Sequence, residues 1–176
     1  MRAYFFVNSW LSGRQKGIQA THCATKMAVR SILNAQGTDK EREAYESWLD
    51  WAQNHETVIM LEGGRHLDLA MIASLFGGFE HGANEFARTE EEAKWGNHVW
   101  AAVQEDQDCL NKAFTCVGII LDERIYETAS LVRESGVNLD LGLDNEKVNS
   151  VVGHADLTYW EIEIIKLVNS CKMAGE

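Results

Sequence analysis

The chain has 176 residues, 45% hydrophobic, 24% charged and 9% aromatic, the composition of one soluble domain with a single core. No apolar run approaches the ~20 residues a bilayer-spanning helix needs, and the opening segment breaks into Asn8-Ser9 before it could act as a signal peptide, so a cytoplasmic protein is expected. With 16 basic against 27 acidic residues, the net charge of −11 disfavours broad attachment to nucleic acid or anionic lipid.

The charge is unevenly spread. Residues 1–38 carry Arg2, Arg14, Lys16, Lys26 and Arg30 and no acid, leaving −16 for the rest of the chain. Proline is absent, and Cys23, Cys109, Cys116 and Cys171 form no CxxC pair, so reduced thiols are expected.

Ala3 to Val7 is a short apolar, aromatic run that predicts a buried strand. Trp10 to Gly17 reads as a loop. Ile18, Ala24, Met27, Ala28 and Ile32 then recur at helical spacing in a helix from Ile18 to Ala35, closed by Gln36-Gly37. Thr38 and Glu41 make a capping box for a second helix ending near Asn54. Thr57 to Leu61 predicts a second buried strand stopped by Glu62-Gly63-Gly64, and Leu67 to Phe76 a third helix bounded by Gly77-Gly78. Gly77 to Asn97 reads as a long functional or poorly ordered loop. Strands at His98 to Val103 and Thr115 to Leu121 follow, then a helix from Glu123 to Arg133. Gly136 to Gly153 is a glycine-punctuated connection to a last helix, opened by a capping box of Thr158 and Glu161. The expected fold is α/β: a small four-stranded mixed sheet packed with helices. Its core covers 1–121 with a loop insertion at 77–97, and a C-terminal helical extension of the same domain covers 122–176.

The chemistry concentrates after the first strand, in Ser12-Gly13-Arg14-Gln15-Lys16-Gly17-Ile18-Gln19-Ala20-Thr21-His22-Cys23. A glycine-bearing loop entering a helix leaves backbone N–H groups unpaired at the helix N-terminus, and with Arg14 and Lys16 these favour an anion such as phosphate. The spacing is neither Walker A nor GxGxxG, and such a turn also occurs without a ligand. Trp10, in the preceding loop, offers an indole face for stacking on a base; the other tryptophans read as core or interface. The six histidines include no His-x-x-x-His pair, and His66 and Asp68, two apart, do not share a helix face, so no metal and no cofactor is expected. His22 and Cys23 are helix neighbours that do not face each other, which excludes a nucleophile and base pair.

The order of strand, basic glycine-bearing turn and Lys16-Gly17-Ile18-Gln19-Ala20-Thr21-His22-Cys23 resembles the class II peptidyl-tRNA hydrolases of archaea and eukaryotes, where a KGKxAAQxxHA-type motif opens the first helix. Downstream, Trp48 to Trp51 before the strand at Thr57, a strand ending in Gln104-Glu105-Asp106, and Thr115-Cys116-Val117-Gly118-Ile119 are similar in order to that family, the last to its TVLGI strand. The resemblance covers residues 3 to 121 and implies the family's α/β fold and an ester hydrolase acting at a tRNA 3′ end. The chain departs from the pattern in that Lys16 lies one position closer to the Gln-x-x-His element. In addition, the central strand has no lysine, and Asp106 is followed by Gln107-Asp108-Cys109 rather than an Ala-Gly-Arg-Thr turn.

Two function classes stay open, with a third behind them. In the first, a divergent relative of these hydrolases binds a nucleotide-like anionic ligand near the first strand-to-helix turn, through Trp10, Arg14, Gly17, Gln19, Thr21 and Asn111. In the second, an active peptidyl-tRNA hydrolase uses Lys16, His22 and Asp106 to position water, stabilise an oxyanion and neutralise phosphate. The third is an acidic protein-binding inhibitor in which Glu90 to Glu92 mimic a polyanion. Retention of the anion-binding turn beside the loss of most basic chemistry favours the first. No membrane partner is expected, and so tryptophan-rich an acidic protein is a candidate homodimer.

Overall fold

The computed structural model describes residues 1–86, 98–106, 108 and 112–174, with side chains at all of these except 34, 40 and 78–86. The elements are β1 (Arg2–Val7), α1 (Gly13–Asn34), α2 (Asp39–Asp50) continued by a π-helical turn (Trp51–His55), β2 (Val58–Glu62), α3 (His66–Phe86), β3 (Trp100–Gln104) and β4 (Phe114–Leu121). After these come α4 (Glu123–Ser135), a 3-10 turn (Leu139–Leu141), α5 (Glu146–Val152) and α6 (Tyr159–Ser170). The expected α/β class with a four-stranded mixed sheet is what the chain forms. The contacts divide it into two compact units, Met1–Ile120 with Lys172–Glu176, and Leu121–Cys171.

In the N-terminal unit the strand order is β2-β1-β4-β3. β1 and β2 are parallel, from Ala3 opposite Val58 to Val7 opposite Glu62, while β3 and β4 are antiparallel with Trp100 opposite Ile119. The two inner strands carry the continuous apolar runs, with every residue of β1 after Arg2 and of β4 after Phe114 buried. That is the pattern of strands covered on both faces. β3 alternates instead, burying Ala101 and Val103, as an edge strand with one covered face does. β2 is a correction: of its five residues only Leu61 is buried, and Val58 is 51% exposed. Its apolar run is an edge strand, and composition alone does not separate an edge from a centre. The free side of β2 is met by the chain's last described residues. The Glu62 amide donates to the Lys172 carbonyl at 2.8 Å and the Ala174 amide to the Met60 carbonyl at 2.9 Å, which pairs part of an otherwise open edge.

The core of this unit joins Phe5, Val7, Cys23, Met27, Val103 and Cys116. Gly118 lets α1 approach the sheet: a Cβ there would lie 2.8 Å from the Phe5 ring and 2.9 Å from Cys23 Sγ.

Two further boundaries differ from expectation. α1 starts at Gly13, because Ser12 and Gln15 close a capping box that extends the helix back over the anticipated loop. α3 continues through Gly77-Gly78 to Phe86. There a Cβ on Gly77 would stand 3.5 Å from the Trp100 ring, an ordinary packing contact, so this glycine sits in a helix packed against β3. The expected loop at 77–97 is therefore helical over 77–86, and 87–97, with Glu90 to Glu92, lies outside the described residues.

The C-terminal unit is helical. α4 is capped by Asp122 and ends on Gly136 in the left-handed conformation, φ 63°. The stretch from Gly136 to Gly153, expected as a connection, contains α5, whose N-cap Asn145 accepts from the Lys147 and Val148 amides at 3.1 and 3.4 Å. α6 has the anticipated Thr158–Glu161 capping box. Among the described residues no helix is long and apolar enough to cross a membrane.

Candidate ligand site at the end of the sheet

The C-terminal ends of β1 and β2, the end of β3, the start of β4 and the start of α1 come together through hydrogen bonds at one end of the sheet. Asn8, buried just past β1, holds this end closed: its amide donates to the Thr115 carbonyl at 3.0 Å and its Nδ2 to the Phe114 carbonyl at 3.1 Å. Its Oδ1 accepts from the Trp10 amide at 3.0 Å and so fixes the loop that carries the indole. Ser9 bonds the Gly64 carbonyl through both its amide, at 2.8 Å, and its hydroxyl, at 3.1 Å. Gly64 adopts φ 83° and its Cβ would collide with Asp68, so glycine is required at this turn.

Lys16 does not project from a loop. It lies in the first turns of α1, is only 7% exposed, and its Nζ meets Glu62 Oε1 at 2.6 Å. The charge expected to clamp an anion is already matched by a carboxylate 46 residues away, since a buried ammonium needs such a partner. Gln19, one turn further along α1, donates from Nε2 to Glu105 Oε1 at 2.7 Å and accepts on Oε1 from the Thr115 hydroxyl at 3.0 Å. Thr115 Oγ1 also lies 3.4 Å from the Val103 carbonyl and 3.5 Å from Glu105 Oε1; with one proton to give, its shortest contact is to Gln19.

Three cationic or aromatic groups stand at the rim. Trp10 is 76% exposed, with the Arg65 guanidinium 5.0 Å from its ring centroid. Arg14 is exposed at the second position of α1 and has no ion-pair partner among the described residues. The amides of Gly13 and Arg14 precede the first backbone bond of the helix, which runs from the Lys16 amide to the Ser12 carbonyl, and the Gln15 amide is taken by Ser12 Oγ at 3.4 Å.

The remaining sequence-derived candidates are less engaged. Gly17 lies inside α1, where a Cβ would meet nothing within 4 Å. Thr21 is exposed and its hydroxyl donates to the Gly17 carbonyl at 3.0 Å. His22 and Asp106 are exposed, and no hydrogen bond or ion pair joins either to Lys16 or to the other among the described residues. Asn111 lies outside the described residues. Asn8, Glu62, Glu105 and Thr115 were not singled out as site residues from sequence. Asn8 and Glu62 read from sequence only as the residues that end strands, Glu105 and Thr115 lie in segments that carry the family resemblance, and the pairings Lys16–Glu62 and Gln19–Thr115 are tertiary.

Other groups are committed to structure. His66 accepts the Phe114 amide on Nδ1 at 2.9 Å and stacks on the Phe114 ring, and Asp68 accepts the Arg65 amide at 2.8 Å. Among the described residues no three His, Cys, Asp or Glu side chains gather as metal ligands. Cys23 is buried and donates to the Ala101 carbonyl at 3.2 Å, and a hydrogen bond between Cys116 and Cys23, together with burial, pushes the Cys116 thiol far above its ordinary range. The Cys116 thiol is thereby unsuited to nucleophilic work.

A scan of protein families and a search of curated proteins each found no match to this chain.

Proposed function

We propose that the N-terminal unit is a divergent relative of the class II peptidyl-tRNA hydrolases that binds a nucleotide-like anionic ligand at this end of the sheet. The observation that carries the reading is Trp10, a 76% exposed indole held in place by Asn8 and by Arg65 beside the start of an unusually basic helix. A base stacks on the open indole face, while Arg14, Arg65 and the Gly13 and Arg14 amides meet a phosphate. Gln19 and Thr115, 96 residues apart in two segments that carry the resemblance, hydrogen-bond each other beside this end of the sheet. Lys16, paired with Glu62, shapes the floor and leaves anion contact to the rim. The test is a thermal-shift screen against mono-, di- and cyclic nucleotides and tRNA: a concentration-dependent rise in Tm with one small nucleotide, lost in Trp10→Ala, is expected. No shift with any of them contradicts the reading.

One observation favours a second reading, an active ester hydrolase. The Glu105 carboxylate, oriented by Gln19 beside the Thr115 hydroxyl, has the geometry of a base that holds water. In that case Glu105→Gln lowers turnover of a peptidyl-tRNA mimic by about 10²-fold or more and Asp106→Asn leaves it near wild type. The reverse order returns the role to Asp106.

A further inference from the structure

We infer that the C-terminal unit carries a docking groove for a cationic amphipathic helix of a partner protein. A cleft of about 650 Å³ opens along α4, lined by Glu123, Glu127 and Leu131 on one side and Val151, His154 and Ala155 on the other. Glu123, Glu127 and Leu131 follow at four-residue intervals, so they form a single line on α4. The helix buries Ile125, Thr128, Ala129 and Val132 in the unit's core and leaves Leu131 52% exposed.

The polar groups of the groove divide by what they already serve. Arg124 is consumed: Nη1 donates to the Ala155 and Asp156 carbonyls at 2.9 and 3.0 Å, and its other nitrogen pairs with Glu161. The hydroxyls of Thr128, Ser135 and Ser150 donate to the Arg124, Val132 and Lys147 carbonyls. Among the described residues, Glu127 and His154 have no partner, and Glu123 accepts from the Tyr126 hydroxyl at 3.1 Å. Two exposed carboxylates are thus the charges the groove has to offer, beside an apolar floor, in a segment of ten acidic and four basic residues over 121–171.

This chemistry complements a helix whose apolar stripe is flanked by Lys or Arg, seated between two helices as in helix-in-groove recognition. A nucleic acid or an acidic peptide would be repelled. The groove is preorganised, because Arg124 fixes the turn after α5, where Asp156 stands at φ 46°. α4, with 13 residues, presents a wall of about 20 Å, the length of a partner helix of about 14 residues. Every residue involved lies within 121–171, so the inference is independent of the nucleotide reading.

The test uses the full chain and two synthetic amphipathic peptides of about 14 residues, one of Leu and Lys and one of the same pattern with Leu and Glu, followed by fluorescence anisotropy and by amide chemical shifts. The Leu/Lys peptide is expected to bind at least about tenfold more tightly than the Leu/Glu peptide, with shifts confined to residues 123–135 and 146–156. Glu123→Gln with Glu127→Gln should weaken it about tenfold and Leu131→Asp more. The control pair Glu134→Gln with Asp144→Asn, outside the groove, should leave binding unchanged; neither set replaces a buried side chain. Equal weakening by the control pair, or shifts spread over the N-terminal unit, would mean diffuse electrostatic attachment and overturns the groove. Absence of binding does the same.

Discussion

In each unit a cation and carboxylate pair ties segments far apart in sequence, Arg124 with Glu161 in one and Lys16 with Glu62 in the other, and these two pairs do different work. In the C-terminal unit, Arg124 reaches 37 residues to Glu161, and that carboxylate also closes the capping box of α6 by accepting the Thr158 amide at 2.7 Å. The arginine further holds two backbone carbonyls. The hydrogen bonds of this knot go to a helix cap and to turn carbonyls. In the N-terminal unit, Lys16 and Glu62 meet through one ion pair that, among the described residues, caps no helix and holds no carbonyl. It lies beside Gln19, Glu105 and Thr115, polar side chains with hydrogen-bonding capacity left over. A pair absorbed into caps and turns stabilises a fold; a pair at the end of a sheet with spare polar neighbours around it marks a place where a ligand can be met.

The sharpest break of this comparison is Arg124→Ala. It strands a buried carboxylate and two carbonyls, so a loss of about 2–4 kcal/mol in the unfolding free energy is expected from denaturant titration. A loss below 1 kcal/mol, roughly the value of an exposed pair, would make the two pairs equivalent.

Acid should act on the same knot. Burial opposes ionisation of Glu161, but hydrogen bonds from Arg124 and Thr158 and the charge of Arg124 outweigh it and hold its carboxyl below the usual carboxylate range. A carboxyl with a folded pKa below its unfolded one contributes stability in full above the unfolded value, and that contribution disappears as pH falls through the folded one. Unfolding scans between about pH 6 and pH 3 should show Tm falling as the carboxylate range is entered, and Glu161→Gln should flatten this dependence. An unchanged slope in that variant contradicts the assignment.

Lys16→Met is expected to cost less, about 1–2 kcal/mol, since Glu62 is half-exposed and rehydrates. Its effect on nucleotide affinity should be under about threefold, whereas Arg14→Ala should weaken binding about fivefold or more, because only the arginine has charge to spare. Calorimetry on the two variants decides the order, and the opposite order returns the anion contact to Lys16.

Smallest is Gly17→Ala, expected to raise stability by about 0.5–1 kcal/mol in thermal unfolding. A mid-helix glycine with open space over it carries an entropic cost that alanine removes. Destabilisation instead would mean that the helix face is packed.

Legibility followed the range of the interactions. The apolar run of β1 and the boxes at Thr38–Glu41 and Thr158–Glu161 are local signals, and the structure contains all three elements. Ser12-x-x-Gln15 is the same signal, hidden by the glycines at 13 and 17 that made the segment resemble a loop. α5 was masked in the same way by its flanking glycines despite the Asn145 cap. The edge position of β2 depends on the order in which the strands assemble, and the cover of its free side comes from Lys172 and Ala174, more than a hundred residues away; no window of sequence contains either. For the same reason Lys16 reads from sequence as a free cation: its partner Glu62 is 46 residues away, where it reads only as the residue that stops a strand.

The central claim is that a nucleotide is met at the Trp10 end of the sheet, and a titration of the isotope-labelled chain with AMP, read on amide and indole N–H resonances, tests it most directly. The account predicts saturable shifts of the Trp10 indole and of the Gly13, Arg14 and Gln19 signals, with the C-terminal unit unmoved, and their loss in Arg14→Ala with Arg65→Ala. Shifts confined to residues 121–171, or none at millimolar AMP, would contradict it.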